Sequence, residues 1–259
     1  MSEKRGISFI GSGNVATQLA AAFDRAGHSI HQIISRNVHS AGDLAKKFGA
    51  YFSNDMEMLY KNIDLIVVAV SDDEIPEIAQ KLRGIDVAVC HTSGSVPMSA
   101  LRLVGNDYGV LYPLQTFSKT NDINFEETPF LIEGCNQDTY ELLRDLAESL
   151  SQKVSELDSE QRKKLHLSAV VVNNFSNHLF YLASEYLKQE NIPFEHLVPL
   201  IQETAKKMIT RSPKASQTGP AKRDDQDTIK AHLELLRDNP ELQDIYKSFS
   251  ESITRSHRA

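Results

Sequence analysis

The stretch from Gly6 to Ala20 constrains the fold most strongly. Ile7-Ser8-Phe9-Ile10 has the composition of a strand and Val15-Ala16-Thr17-Gln18-Leu19-Ala20 that of a helix. Between them, Gly11-Ser12-Gly13-Asn14-Val15-Ala16 carries GxGxxA spacing. In such a loop Gly11 permits the tight turn, Gly13 lets a pyrophosphate approach the backbone, and Ala16 keeps the helix close to the sheet. The unsatisfied N–H groups and positive end of the helix then face the phosphate. Alone the spacing is weak evidence, and an ordinary strand–helix turn is the alternative. In a strand–loop–helix–strand unit it predicts a dinucleotide site built on Gly11, Ser12, Gly13, Asn14, Val15 and Ala16.

Further strands are expected at Ser29–Ser35, Asp64–Ser71, Val87–Thr92, Asp107–Leu114, Pro129–Glu133 and Lys153–Leu157. Helical spacing occupies Val15–Ala26, Ala41–Phe48 and Ile75–Leu82. This alternation predicts crossover units and a parallel sheet. Leu65–Val70 and Val87–Val89 are apolar on both faces, as strands covered by helices on two sides must be. After residue 158 strand signals vanish. One long helix is expected over Glu160–Lys188, capped by Asp158 or Ser159, and others over Phe194–Thr210, Asp225–Arg237 and Pro240–Thr254. The expected class is therefore α/β: a Rossmann-type parallel sheet over residues 1–158, then an all-helical domain over 159–259.

Composition narrows the function classes. The 259 residues are 41% hydrophobic and 24% charged, with a net charge of −7, which argues against a general nucleic-acid binder. Apolar runs such as Leu65–Val70 are too short to span a membrane. Met1–Arg5 leads into the first strand without a signal-peptide core, so a cytoplasmic location is expected. Cys90 and Cys135 alone give no disulfide framework and no CxxC metal pair, and no metal is expected.

A NAD-preferring site places Asp or Glu roughly 20 residues beyond the glycine loop. Here the second strand ends in Ser35-Arg36-Asn37. Arg36 offers a guanidinium to a ribose 2′-phosphate and Ser35 a hydrogen bond, which favours NADP(H); a solvated loop charge is the alternative for Arg36. Ligands in such sheets lie outside the carboxyl ends of the strands, so Ser71, Asp72 and Ser93 are expected to border the cofactor. Ser71 and Glu74 also match a capping box, and Ser95 a cap ahead of Pro97. Gln115, in Tyr112-Pro113-Leu114-Gln115-Thr116-Phe117, is the polar candidate for substrate at the next strand end.

The segment from Leu165 to His178 has few residues that look solvent-facing, so it is expected to be packed on most sides. At about 100° per residue, Asn173 falls close to His166, with Asn174 further round. A His and Asn stripe costs stability unless it meets partners. It is either a hydrogen-bonded core network or a catalytic face closing the cleft beside the nucleotide domain. In the catalytic reading His166 supplies the proton for reduction of a carbonyl or imine, and Asn173 or Asn174 orients the substrate. Thr218-Gly219-Pro220-Ala221-Lys222-Arg223-Asp224-Asp225 reads as a charged turn, with Lys222 or Arg223 as a clamp for an acidic substrate in the functional alternative.

GSGNVA, SR, HTSGS, YPLQTF, LHLSAVVVNNF and TGPAKRDD together resemble a family of bacterial two-domain Rossmann proteins with an uncharacterised helical C-terminal domain. That family is similar to ketopantoate reductases, pyrroline-5-carboxylate reductases and 3-hydroxyisobutyrate dehydrogenases. The resemblance covers essentially the whole chain. It implies an N-terminal NADP domain, an all-helical dimerising domain, a homodimer, and an active site between the domains that reduces a small keto or imino acid. In the family the helix His is followed eight residues later by Asn, matching His166 and Asn174. The Lys and Asn pair of hydroxyisobutyrate-type enzymes is absent, since Leu167 and Ser168 lie four residues beyond Lys163 and Lys164. The family's C-terminal TGPxxRGD has Asp224 here in place of Gly. A non-catalytic NADP-binding sensor or docking protein is the competing class. A reductase using a deazaflavin partner resembles the N-terminal half.

Overall fold

The computed structural model describes residues 3–118 and 123–258; Met1 and Ser2 of the N-terminal stretch lie outside them. The chain forms two compact units, Met1–Val170 and Val171–Ala259. The first runs β1 (Gly6–Ile10), α1 (Asn14–Arg25), β2 (Ser29–Ile34), α2 (Val38–Ala45), β3 (Tyr51–Ser53), β4 (Leu65–Val68), α3 (Ile75–Lys81), β5 (Ala88–His91), β6 (Tyr108–Pro113), β7 (Phe130–Gly134), α4 (Gln137–Glu148), β8 (Val154–Glu156) and α5 (Ser159–Ala169).

The strands form one sheet in the order β3-β2-β1-β4-β5-β6-β7-β8. Alternation along the central strands feeds two cores: Ile7, Phe9, Leu65 and Val67 pack on one face, Ile10, Ile66 and Val68 on the other. All seven expected strands are present. The added β3 is a three-residue edge strand whose tyrosine and phenylalanine are exposed, so its composition gives little signal. The sheet is parallel except between β6 and β7, which run antiparallel. Among the described residues joining them there is a single 3-10 turn, Phe125–Glu127, and no crossover helix to return the chain in parallel. Strand order reverses at β1, which has β2 on one side and β4 on the other. That is where an open α/β sheet leaves a crevice beyond its carboxyl edge.

The expected division at 158/159 follows the last strand, whereas the compact units divide at Val170/Val171. The start of α5 belongs with the sheet. Asp158 caps it in a capping box with Gln161, Arg162 is buried against β7, and Leu165 packs on Val110, Tyr112 and Leu131.

The single helix expected over Glu160–Lys188 is interrupted. A π-helical stretch, Val170–Phe175, separates α5 from α6 (Ser176–Gln189). Its i→i+5 winding changes the angle per residue, so positions reckoned at 3.6 residues per turn do not carry through it. The second unit continues with α7 (Val198–Thr210), α8 (Pro213–Ser216), α9 (Gln226–Leu235) and α10 (Pro240–His257). Its buried residues are few: Thr254 Oγ1 donates to the Ala221 carbonyl at 2.9 Å, and Ile229 and Leu236 are buried. The helix expected to be packed on most sides is not, within this chain. Val172 is 71% exposed, Leu167 and Phe175 are also exposed, and Ile209 on α7 reaches 83%. Apolar composition signals burial against something, and these side chains meet little of their own chain.

Candidate active site

A groove of 1190 Å³ lies beyond the carboxyl ends of β1, β2 and β4. Its floor is the glycine loop. Gly11 has φ of +111°, and a Cβ there would lie 2.1 Å from the Ala69 carbonyl oxygen, so both the turn and the packing require glycine. Gly13 has open space where a Cβ would project. It is the N-cap of α1 without a side-chain hydrogen bond, and the first N–H groups of a twelve-residue helix stay uncapped. Ala16 is fully buried under the sheet. Open backbone donors, a bare approach at Gly13 and a helix N-terminus fit the phosphates of a dinucleotide.

Ser12, Asn14, Val15, Ser35, Arg36 and Ser71 line this groove. Ser12 Oγ donates to Ser35 Oγ at 2.9 Å and lies 2.6 Å from Ser40 Oγ, while Asn37 caps α2 through the Ser40 N–H. Asn37, His39 and Ser40 also line it and were not singled out from the sequence. The Asn-x-x-Ser cap just past the second strand was the available signal. Arg36 is paired with Glu74. The capping box expected at Ser71 does not form: Ser71 makes no side-chain cap bond, and the Glu74 carboxylate pairs with Arg36. The cap expected at Ser95 is also absent. Ser95 Oγ donates to Asp72, and Ser93 Oγ accepts from the N–H groups of Ser95 and Val96 at 3.1 and 3.0 Å.

Beyond β5 and β6 a second cluster forms. Tyr112 Oη lies 2.9 Å from His166 Nδ1, with ring centroids 5.8 Å apart and planes at 72°. Both rings rest on Gly94, where a Cβ would fall 2.5 Å from His166 Nδ1 and 2.7 Å from Tyr112 Cζ. The phenol donates to an unprotonated Nδ1 or accepts from a protonated one, so the bond orients the ring in either state. Burial raises the Tyr112 pKa, opposed by the Arg162 charge and reinforced by Asp72. Thr92 lines the dinucleotide groove, so Gly94 under the His–Tyr pair stands two residues from a groove wall. Tyr112 was not selected from the sequence, where it reads as one more apolar strand residue.

Arg162 anchors this cluster and was likewise missed, since a charged residue in the first turn of a helix normally reads as solvated. It is fully buried. Nη1 donates to Glu133 Oε2 at 2.5 Å, and Nη2 to the Val96 carbonyl at 2.7 Å. Ser159 Oγ donates to Glu133 and accepts from the Met98 N–H at 2.9 Å. The start of α5 is thereby tied to β7 and to the loop after β5, one helical turn before His166. His91, buried at the end of β5, accepts the Ser93 N–H on Nδ1 at 3.2 Å. Burial, assisted by Arg162, pushes its pKa down to about 4, with the Pro97 carbonyl and Asp72 offsetting part of the effect.

Gln115 is exposed and accepts the neighbouring Thr116 N–H on Oε1 at 2.8 Å. In the second unit, Asn173 and Asn174 lie in the π stretch, exposed, with Asn173 Nδ2 donating to Asn174 Oδ1 at 3.4 Å. Lys222 Nζ donates to the Gln217 carbonyl at 2.7 Å, and Arg223 sits 3.9 Å from Asp225. Asp224 adopts φ of +56°, a left-handed position favouring Gly and tolerated by Asp. Its carboxylate accepts from Gln226 and Arg258.

A glycine-loop groove at the switch point of a mainly parallel sheet defines a dinucleotide-binding architecture. Comparison with known proteins specifies it. A family described as "NADP oxidoreductase coenzyme F420-dependent" matches residues 6–89, and "Domain of unknown function (DUF2520)" matches residues 128–253. The chain is 41% identical to the putative NADP oxidoreductase of Bacteroides fragilis, over 97% of this chain and 98% of that one, with a TM-score of 0.90. The protein belongs to this family of two-domain NADP oxidoreductases, in which an NADP-binding Rossmann domain precedes a DUF2520 helical domain. An imine reductase from Myxococcus stipitatus, solved with NADP+, shares the fold at 19% identity and a TM-score of 0.66, over 98% of this chain and 93% of that one. A pyrroline-5-carboxylate reductase of Aquifex aeolicus is 24% identical over 102 residues, and the match spans 39% of this chain and 38% of that protein.

Proposed function

We propose that the protein is an NADPH-dependent reductase of a small imino or keto acid and works as a homodimer. Residues 1–158 supply the cofactor site and 159–259 the substrate and dimerisation functions. The Tyr112–His166 pair over Gly94, two residues from a wall of the groove, carries this reading. Gly11, Ser12, Gly13, Asn14, Val15 and Ala16 would hold the pyrophosphate, Ser35 and Arg36 the ribose phosphate, and Ser71, Asp72 and Ser93 the edge of the site. Bound there, NADPH supplies a hydride.

The chain's own task is to deliver a proton to the oxygen or nitrogen of the reduced bond. His166 is suited to it: the phenol holds Nδ1, and an imidazolium gives up its Nε2 proton to leave a neutral ring. Asn173 or Asn174 is the orienting amide, and Gln115, Lys222 or Arg223 the contact to a substrate carboxylate. The exposed apolar side chains of the second unit, Val172, Phe175 and Ile209 among them, are the surface it offers for self-association. Support for an imino substrate comes from neighbours whose names include imine reductase and pyrroline-5-carboxylate reductase.

The test is NADPH oxidation by the purified protein against a panel of cyclic imines and 2-keto acids. Turnover of at least one member that falls in Tyr112→Phe is expected. Tight NADPH binding without turnover across the panel would instead assign a cofactor sensor.

A further inference from the structure

The charges that line the dinucleotide groove cancel in pairs. Arg36, at the end of β2, is bound to Glu74, from the turn after β4. Lys81 meets Glu77 at 2.7 Å one turn along α3. Of the titratable groups lining the groove among the described residues, only His39 stands outside these pairs. The two partners of the first pair are unequally free: the Arg36 side chain is 86% exposed and that of Glu74 only 21%. Glu74 is therefore the more enclosed partner and Arg36 the more open one.

A ribose 2′-phosphate brings one to two negative charges near neutral pH and seeks the same guanidinium. It meets a site where Arg36 is already held by Glu74. A ribose with a free 2′-hydroxyl does not need Arg36 and presents donors that a carboxylate accepts. Resting on the cofactor site read above, we propose that Glu74 is a specificity-determining residue: by holding Arg36 it limits the margin by which NADP(H) is preferred to NAD(H). Glu74 acts as an internal competitor for the phosphate-binding arginine, and that margin is set jointly by the two side chains rather than by Arg36 alone.

Calorimetric titration of the full-length protein with NADP+ and with NAD+ tests this without requiring a substrate. Glu74→Gln is expected to tighten NADP+ about fivefold and to leave NAD+ within about twofold, so the affinity ratio rises. In an Arg36→Gln background the same change is expected to move the ratio far less, because the pair is already broken. A ratio that stays constant or falls in Glu74→Gln, while the wild type binds both dinucleotides, overturns the inference and leaves the cofactor site standing. An equal rise in the Arg36→Gln background also overturns it, by assigning the effect to general charge. Failure of the wild type to bind either dinucleotide overturns the cofactor site and the inference together.

Discussion

The phenol of Tyr112, on β6, meets the Nδ1 of His166, on α5, at 2.9 Å, and the two rings share Gly94 as their floor. A residue from the sheet thereby orients the ring of a residue on the helix that leaves it. Gly94 makes this possible by having no side chain.

Gly94→Ala tests the floor. Its methyl carbon would overlap His166 Nδ1 and Tyr112 Cζ, so the pair must part. Turnover is expected to fall at least about tenfold, with a stability loss of about 1–3 kcal/mol from overpacking. Urea denaturation together with NADPH oxidation checks both.

Arg162 and Glu133 hold the same assembly from beneath. Arg162→Met leaves the Glu133 carboxylate without its guanidinium, and Glu133→Gln removes the counter-charge of a fully buried cation. Each single change is expected to cost about 3–5 kcal/mol, read from denaturant midpoints. A double Arg162→Met/Glu133→Leu variant is expected to recover part of that loss, since replacing both charges removes the uncompensated one.

His91 gives a pH dependence of known sign. Its folded pKa, about 4, lies below the ordinary histidine value of 6.5, so the unfolded chain binds more protons between those limits. Its contribution to stability is complete above pH 6.5 and is lost as pH falls towards 4. His28, whose pKa burial also lowers, acts in the same direction. Denaturation at pH 7, 6, 5 and 4 is expected to show a shallower decline in His91→Gln than in wild type. The integrated difference is about 3 kcal/mol at most.

The homodimer rests on apolar side chains that this chain does not cover. Val172→Asp and Ile209→Asp place charge on two of the most exposed of them. Sedimentation is expected to show a dimer for wild type and a shift towards monomer for each variant, with the far-ultraviolet dichroism unchanged. A monomeric wild type contradicts this assignment.

What the sequence made legible follows from how each signal arises. The glycine loop and the doubly apolar strands were readable because backbone geometry and two-sided burial leave a strict residue pattern. β3 was not, being three residues long with its large side chains in solvent. The π stretch was hidden because apolar residues at Val170–Val172 satisfy either winding. His166 was identified from its place in an apolar helix, yet its partner was not. Tyr112 pairs with it across 54 residues of chain, and local periodicity carries nothing about so distant a contact. Arg162 was obscured by its neighbours Lys163 and Lys164, which make a buried guanidinium look like one of three solvated charges. Of the predicted caps, Ser71 makes no cap bond while Glu74 pairs with Arg36, and the turn after β5 begins at Met98 with Pro97 as its N-cap, two residues past Ser95.

The central claim is that Tyr112 and His166 act as one proton-delivering unit. It is tested most directly by comparing kcat/KM for NADPH-dependent reduction, on the best substrate of the panel, in Tyr112→Phe, His166→Ala and the double variant. The account predicts a loss of about a hundredfold or more for His166→Ala, a smaller loss for Tyr112→Phe, and a double variant no worse than His166→Ala alone. Turnover within about threefold of wild type in His166→Ala, or losses that multiply in the double variant, would contradict it.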